Sequence, residues 1–246
     1  MIAIWLRLVV ANHRFSNICE NRYVLFGFTK QHDLRDIYLQ KAIKSFWLLF
    51  LEKEGLNKLT FYRRKYMIYV FLANGFEEIE ALTPVDVLLR AGFEVKTVAV
   101  GESKTVAGAH GISVIADIKE NEYNDANPEA IILPGGMPGT TNLEESATVI
   151  DAINQAMING ALIGAICAAP SILGIMGYLK HRKATCFPGF EQYLDGAIVV
   201  DERVVRDGNI ITSKGMGCAS DFSLAIVEYL SDKEKADEIA KSAFIK

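Results

Sequence analysis

Residues 67 to 246 predict an α/β domain with a parallel sheet covered on both faces, and three observations carry that prediction. Short apolar runs rich in β-branched residues alternate with segments of helical periodicity, the grammar of strands linked by crossover helices. Three of the runs, MIYVFLA, AIIL and ALIGAI, stay apolar along their whole length, as strands buried on two sides must. Two of them end directly on Asn74-Gly75 and on Gly135-Gly136, residues suited to abrupt turns at a sheet edge.

Taken in order, MIYVFLA (67–73) is a buried strand that ends at Asn74-Gly75. A helix follows. Glu77, Glu78 and Glu80 put carboxylates at the positive end of its dipole, and Leu82, Val85, Leu88 and Leu89 form an apolar stripe up to Gly92. FEVKTVAV (93–100) is the next strand. A polar stretch with Gly108 and Gly111 then gives way to ISVIAD, followed by the strand AIILPGG (130–136) and a helix over about 144–159. ALIGAIC (161–167) is another buried strand, running without a gap into AAPSILGIMG, which has helical character. Short β-type runs recur at AIVV (197–200), RVVR (203–206) and NIITS (209–213), and helices over about 219–230 and 232–242 follow. Ligands of open parallel sheets bind beyond the carboxyl ends of the strands. The ends at Asn74-Gly75, Gly135-Gly136 and Cys167 are therefore expected to converge on one site.

A seam lies at Met67. Before it, Lys and Arg outnumber Asp and Glu by 12 to 5, with both tryptophans and no proline; after it the counts are 14 to 25, with all six prolines and 17 of the 19 glycines. Two readings of residues 1–66 stand open. One is upstream sequence translated from a misplaced start, because Arg63-Arg64-Lys65-Tyr66-Met67 can be encoded by a bacterial ribosome-binding site, a spacer and a start codon. The other is a genuine extension in which 34–51 forms a basic amphipathic helix. No apolar run there approaches the ~20 residues that span a bilayer. The opening MIAIWLRLVVA also lacks a basic n-region and carries Arg7 within its apolar stretch, so no membrane or secretory role is predicted.

Charge and cysteine usage narrow the function classes. A net charge of −4 supplies no concentrated basic surface for nucleic acid. Cys19, Cys167, Cys186 and Cys218 lie far apart, with no C-x-x-C pair and no histidine at metal-ligand spacing. Reduced thiols in the cytoplasm are expected, with neither a disulfide scaffold nor a metal.

The candidate chemistry centres on Cys167, at an abrupt strand-to-helix junction flanked by small residues (Ala165-Ile166-Cys167-Ala168-Ala169). A nucleophile elbow needs small neighbours of this kind. The helix that follows is expected to depress the thiol pKa below its free value of about 8.5. Elbow spacing alone fits a buried structural cysteine equally well. For a nucleophile that attacks a carbonyl, Gly135, Gly136 and Ala168 offer backbone N–H groups to the developing oxyanion. Glu80 is a candidate proton shuttle whose pKa should rise beside a thiolate and away from water. Its alternative is an ordinary solvated glutamate in a first helical turn.

Five ordered blocks then carry a family resemblance: YVFLANGFEEIEALTPVDVLLRAG, AIILPGGMPG with NLEES, AICAAPSIL, ATCFPGFE and ITSKGMG. Together they resemble the ThiJ/PfpI superfamily, in the branch of the Parkinson-disease-associated protein and its bacterial homologues. The resemblance covers 67–246 and none of 1–66. It implies a flavodoxin-like three-layer sandwich with a mostly parallel central sheet, a homodimer, a reactive elbow cysteine at Cys167 and a hydrogen bond from Glu80 to its sulfur. It also implies places near the site or the interface for Arg90 and His110. Phe187 stands where some members carry a histidine, so no histidine base transfers there; Met216 and Cys218 replace residues that are more often proline and threonine. Cys186 is either a resolving thiol or a core cysteine.

The resemblance implies a cofactor-independent glyoxalase or deglycase acting on reactive dicarbonyls or early glycation adducts. A redox sensor or stress chaperone that responds through Cys167 is the alternative. A cysteine peptidase or glutamine amidotransferase is disfavoured, because Ala168 rather than histidine follows the elbow and His181 is followed by Arg182-Lys183 instead of the His-x-Glu pattern.

Overall fold

The computed structural model describes residues 67–245. Both expectations for residues 1–66, and Cys19, lie outside the described residues.

The strands are β1 (Met67–Leu72), β2 (Glu94–Ala99), β3 (Thr105–Ala107), β4 (Ser113–Ile115), β5 (Ile118–Lys119), β6 (Ala130–Leu133), β7 (Leu162–Ile166), β8 (Lys183–Ala184), β9 (Ile198–Val199), β10 (Val204–Asp207) and β11 (Ile210–Ser213). Seven of them form one sheet in the order β10-β11-β7-β6-β1-β2-β5. Every pairing in it is parallel except that of the edge strand β10 with β11. The helices are α1 (Glu78–Arg90), α2 (Gly139–Glu145), α3 (Ala147–Asn159), α4 (Pro170–Ile175), α5 (Ala219–Leu230) and α6 (Lys233–Ser242).

Strand alternation divides the core in two. In β1, Tyr69 and Phe71 face one side and join Ile131, Leu133, Ile163 and the buried faces of α3 and α4. Ile68, Val70 and Leu72 face the other, with Ile132, Ala81 and Leu88 of α1 and Phe222 and Ile226 of α5. Successive side chains of a strand point to opposite faces, so strands buried on both must be apolar throughout, as these are. Two cores separated by one sheet make a three-layer sandwich, the architecture the sequence implied.

Two local expectations change. The helix foreseen over 144–159 is two helices, because Ser146 leaves helical geometry (φ −78°, ψ 116°) and turns its hydroxyl to accept from the Val149 N–H as the N-cap of α3. The Thr105–Ala107 and Ser113–Ile115 strands stand off the main sheet as an antiparallel ribbon. The bridge between Phe76 and Gly108 ties this ribbon to the start of α1.

The chain leaves β1 toward β2 on one side and returns to β6 on the other, which makes the β1/β6 boundary the topological switch point. Val70 pairs with Ile132 and Ile132 with Gly164, so the ends of β1, β6 and β7 emerge side by side. The turns after them deliver Asn74-Gly75, Gly135-Gly136 and Cys167 to one edge.

Candidate active site

Cys167 begins where β7 stops. Its φ is 66°, a left-handed backbone that costs a non-glycine residue about 1–3 kcal/mol unless the surroundings impose it. Two hydrogen bonds impose it here. The Cys167 N–H donates to the Ser213 carbonyl at 2.8 Å, and the Phe187 N–H donates to the Cys167 carbonyl at 2.8 Å. The elbow is thus clamped from β11 and from the segment after β8, while Ile166 and Ala168 on either side are buried. Cys167 itself is partly exposed, whereas Cys186 and Cys218 are buried.

Glu80 arrives from the first turn of α1 and is 1% exposed. Its carboxyl shares a hydrogen bond with the Cys167 thiol and accepts N–H groups from Gly135, at 3.0 Å, and from Met216. The N–H groups of Gly136 and Ala168 point at the sulfur. The Glu77 N–H donates to the Gly135 carbonyl at 2.9 Å, which locks the start of α1 to the glycine turn. Space at Gly135 is closed: a Cβ there would lie 2.5 Å from the Cys167 Cβ and 2.7 Å from Glu80 Oε2. Only glycine lets the carboxyl and the thiol meet.

Burial pushes the Glu80 carboxyl up to about 7, against the lowering effect of the thiol and the Gly135 and Met216 amides, and with a further push from Glu77. This agrees with the sequence expectation. The thiol reverses it. Burial, then the Glu80 carboxylate, push Cys167 up to about 12, and the amides of Gly136 and Ala168 offset only part of that. The expected help from a helix dipole is small because α4 is a short helix that begins only at Pro170. Cys167 and Glu80 therefore titrate as a coupled pair in which each disfavours the other's negative charge, and the carboxyl ionises before the thiol.

The other predicted residues divide. Gly136 and Ala168 lie at the sulfur, as a donor pair requires, but the Gly135 N–H is committed to Glu80 and is not open to a substrate oxygen. Arg90 is not at this site: it stands at the opposite end of α1 from Glu80, about 15 Å along the axis, exposed and paired with Asp86 at 2.7 Å. His110 reaches the first turn of the same helix beside Glu80, where its ring nitrogen lies 2.9 Å from Glu78 Oε2 and its N–H 2.9 Å from Glu78 Oε1. Cys186 is part of the core, its thiol pushed up to about 11 by burial and then by Glu191. Sequence reasoning missed Met216, because its backbone amide does the work and a side-chain pattern carries no signal for it.

Among the described residues, Glu77, Glu78 and His110 are the group that brings metal-ligand atoms together, within 4.8 Å of one another. The contact spans 32 residues of sequence between Glu78 and His110, which spacing rules do not register. Glu78 already accepts from the His110 and Ile112 amides at the positive end of α1, a setting that opposes a cation.

A strained cysteine at the switch point of a parallel sheet, with a protonatable glutamate beside its sulfur, defines an α/β protein with a cysteine elbow. The family model of the DJ-1/PfpI family matches residues 66–229. The chain belongs to that family. It is 35% identical over 178 residues to Protein dj-1beta of Drosophila melanogaster, covering 72% of this chain and 95% of that one. It is also 35% identical over 166 residues to the Glutathione-independent glyoxalase DJR-1.2 of Caenorhabditis elegans, covering 67% and 88%. The match to Protein DJ-1 homolog B of Arabidopsis thaliana, 37% identical, covers 70% of this chain but 40% of that longer relative. Among solved structures, a DJ-1 superfamily protein of Salmonella typhimurium has a TM-score of 0.70 at 35% identity, covering 74% of this chain and 99% of that one. The oxidized DJ-1 of Toxoplasma gondii has a TM-score of 0.68 at 34% identity, covering 73% and 98%.

Proposed function

We propose that this chain is a cofactor-independent glyoxalase- or deglycase-type enzyme acting on reactive dicarbonyls or early glycation adducts. The observation that carries the reading is the contact between the Cys167 thiol and the Glu80 carboxyl at the switch point, with the Gly136 and Ala168 amides on the sulfur. A glyoxalase among its relatives supports it.

With methylglyoxal, the Glu80 carboxylate takes the thiol proton as sulfur bonds to the aldehyde carbon, and that proton passes to the aldehyde oxygen. Glu80 next removes the hydrogen from the same carbon to give an enediolate and returns it to the adjacent carbon. The first carbon is oxidised to a thioester while the second is reduced from ketone to alcohol. Water then cleaves the thioester to lactate and restores the thiol. Lactate formation by the purified chain, compared with Cys167→Ser and Glu80→Gln, tests this; both variants matching the parent overturns it.

A second reading, redox sensing, draws on the greater exposure of Cys167 than of Cys186 or Cys218 and on the oxidized relative. Peroxide would convert the thiol to a sulfinate held by Glu80 and the two amides. Mass spectrometry after peroxide treatment decides it, and equal modification of all cysteines removes it.

A homodimer fits the exposed apolar side chains Ile79, Leu82 and Leu89 on α1 and Ile112 and Ile115 on the ribbon. Arg90 belongs to this proposal, since it stands on the same helix. Sedimentation of the full chain measures the state directly. Free thiols at Cys167, Cys186 and Cys218 support a reducing, cytoplasmic setting. Among the described residues no helix is long and apolar enough to cross a membrane.

A further inference from the structure

Three large apolar side chains on the segments that hold the Cys167–Glu80 pair stand about half exposed: Phe187 (47%), Met216 (55%) and Met137 (52%). Each is tied to the pair through backbone. The Phe187 N–H donates to the Cys167 carbonyl, the Met216 N–H donates to Glu80, and Met137 follows Gly136, whose N–H reaches the sulfur. A Cβ built at Gly215 would lie 3.4 Å from the Phe187 ring and 3.7 Å from Glu80 Oε1, so ring and carboxyl flank the same glycine. Single exposed apolar residues are common on protein surfaces, but several rimming a reactive centre mark a binding surface.

Charge points the same way. The ionisable groups that act on the pair are its own two members and Glu77, all of them acids. A carboxylate or phosphate on the substrate would meet repulsion from these acids.

We propose that Phe187, Met216 and Met137 form an apolar rim that selects uncharged α-oxoaldehydes bearing an aryl or long alkyl group over small or anionic ones. The proposal rests on the dicarbonyl reading of Cys167 and Glu80. Phe187 is the specificity-determining residue, because its ring flanks the same glycine as the Glu80 carboxyl and can stack on an aryl substituent as the aldehyde meets the thiol. With phenylglyoxal the balance is unchanged: the aldehyde carbon is oxidised, the ketone carbon is reduced, one water is added and mandelate leaves.

Initial rates test this with phenylglyoxal, its para-carboxylate derivative and methylglyoxal, on the parent chain, Phe187→Ala, Phe187→Leu and Met216→Ala. The expected result is that Phe187→Ala lowers the phenylglyoxal-to-methylglyoxal ratio of kcat/KM about tenfold. Phe187→Leu and Met216→Ala should lower it less, and the carboxylated compound should be the poorer aryl substrate of the parent. Turnover of all three compounds with the ratio unmoved by any variant overturns the rim and leaves the dicarbonyl reading standing. No turnover of any of them by the parent overturns both. Circular dichroism identifies any variant that fails to fold, and the ratio is then read from the remaining two.

Discussion

Glu78 and Glu80 stand two residues apart in the first turn of one helix, both at most 3% exposed, yet they hold their protons in opposite ways. Burial opposes ionisation of Glu78 too. There, the His110 ring, the residue's own backbone amide and the amides of His110 and Ile112 outweigh it and hold the carboxyl down at about 2. Glu80 receives the Gly135 and Met216 amides and the thiol, but faces the Glu77 carboxylate as well, and burial prevails at about 7. Helix position is the same for both. What differs is the donor set brought by the rest of the fold, and that set makes one carboxylate a staple for the ribbon and the other a titrating acid.

The largest test of this contrast is Glu80→Gln. It should lower kcat by about 10²–10⁴ by removing the shuttle. Stability should move the other way. Because the folded pKa of Glu80 is raised, its contribution is fully present below about 4.5 and is lost as pH rises through about 7. Replacing it should therefore stabilise the chain by about 2–3 kcal/mol at roughly pH 8, measurable by denaturant titration. In the parent, kcat/KM should rise with pH through about 7, as Glu80 becomes the free base.

Gly135→Ala should come next. The new methyl group would crowd Cys167 and Glu80 apart, at a cost of about 1–3 kcal/mol and about a hundredfold in kcat/KM. Retention of parental activity would show that the close approach is dispensable.

Glu78→Gln tests the other half of the comparison. It should destabilise the chain by about 1–3 kcal/mol through its weakened amide contacts, while the inflection of kcat/KM near pH 7 stays in place. The Glu78 contribution is present above about 4.5 and is lost as pH falls through about 2, so the gap between parent and variant should close under acid. A gap that persists there would mean that packing, and not the carboxylate, holds the ribbon.

Arg90→Ala should do least. Its exposed pair with Asp86 lies at the far end of α1, so kcat/KM should stay within about twofold and the thermal midpoint should not move measurably. A large loss of activity would place Arg90 at a site completed by a second copy of the chain.

Much of this was legible in the residues. The doubly buried strands announced themselves as unbroken apolar runs, and the glycines after β1 and β6 marked the edge where Cys167 emerges. The break at Ser146 was less legible, because the apolar spacing of 144–159 continues across it and the capping hydroxyl competes only locally. The standing of the β3–β4 ribbon off the main sheet depends on pairings that no local pattern encodes.

By itself, the sequence determined the layered fold and the edge that carries the site, because apolar periodicity and turn residues act over a few positions, while Cys167 and Glu80 were singled out by the family resemblance of their motifs. Only the tertiary structure decided that the carboxyl and the thiol are both pushed up, that the Gly135 amide serves Glu80 while Gly136 serves the sulfur, that Met216 contributes at all and that Arg90 lies too far away. Burial and hydrogen-bond donors from segments remote in the chain set those outcomes, and they take effect only once the strands have brought their ends together.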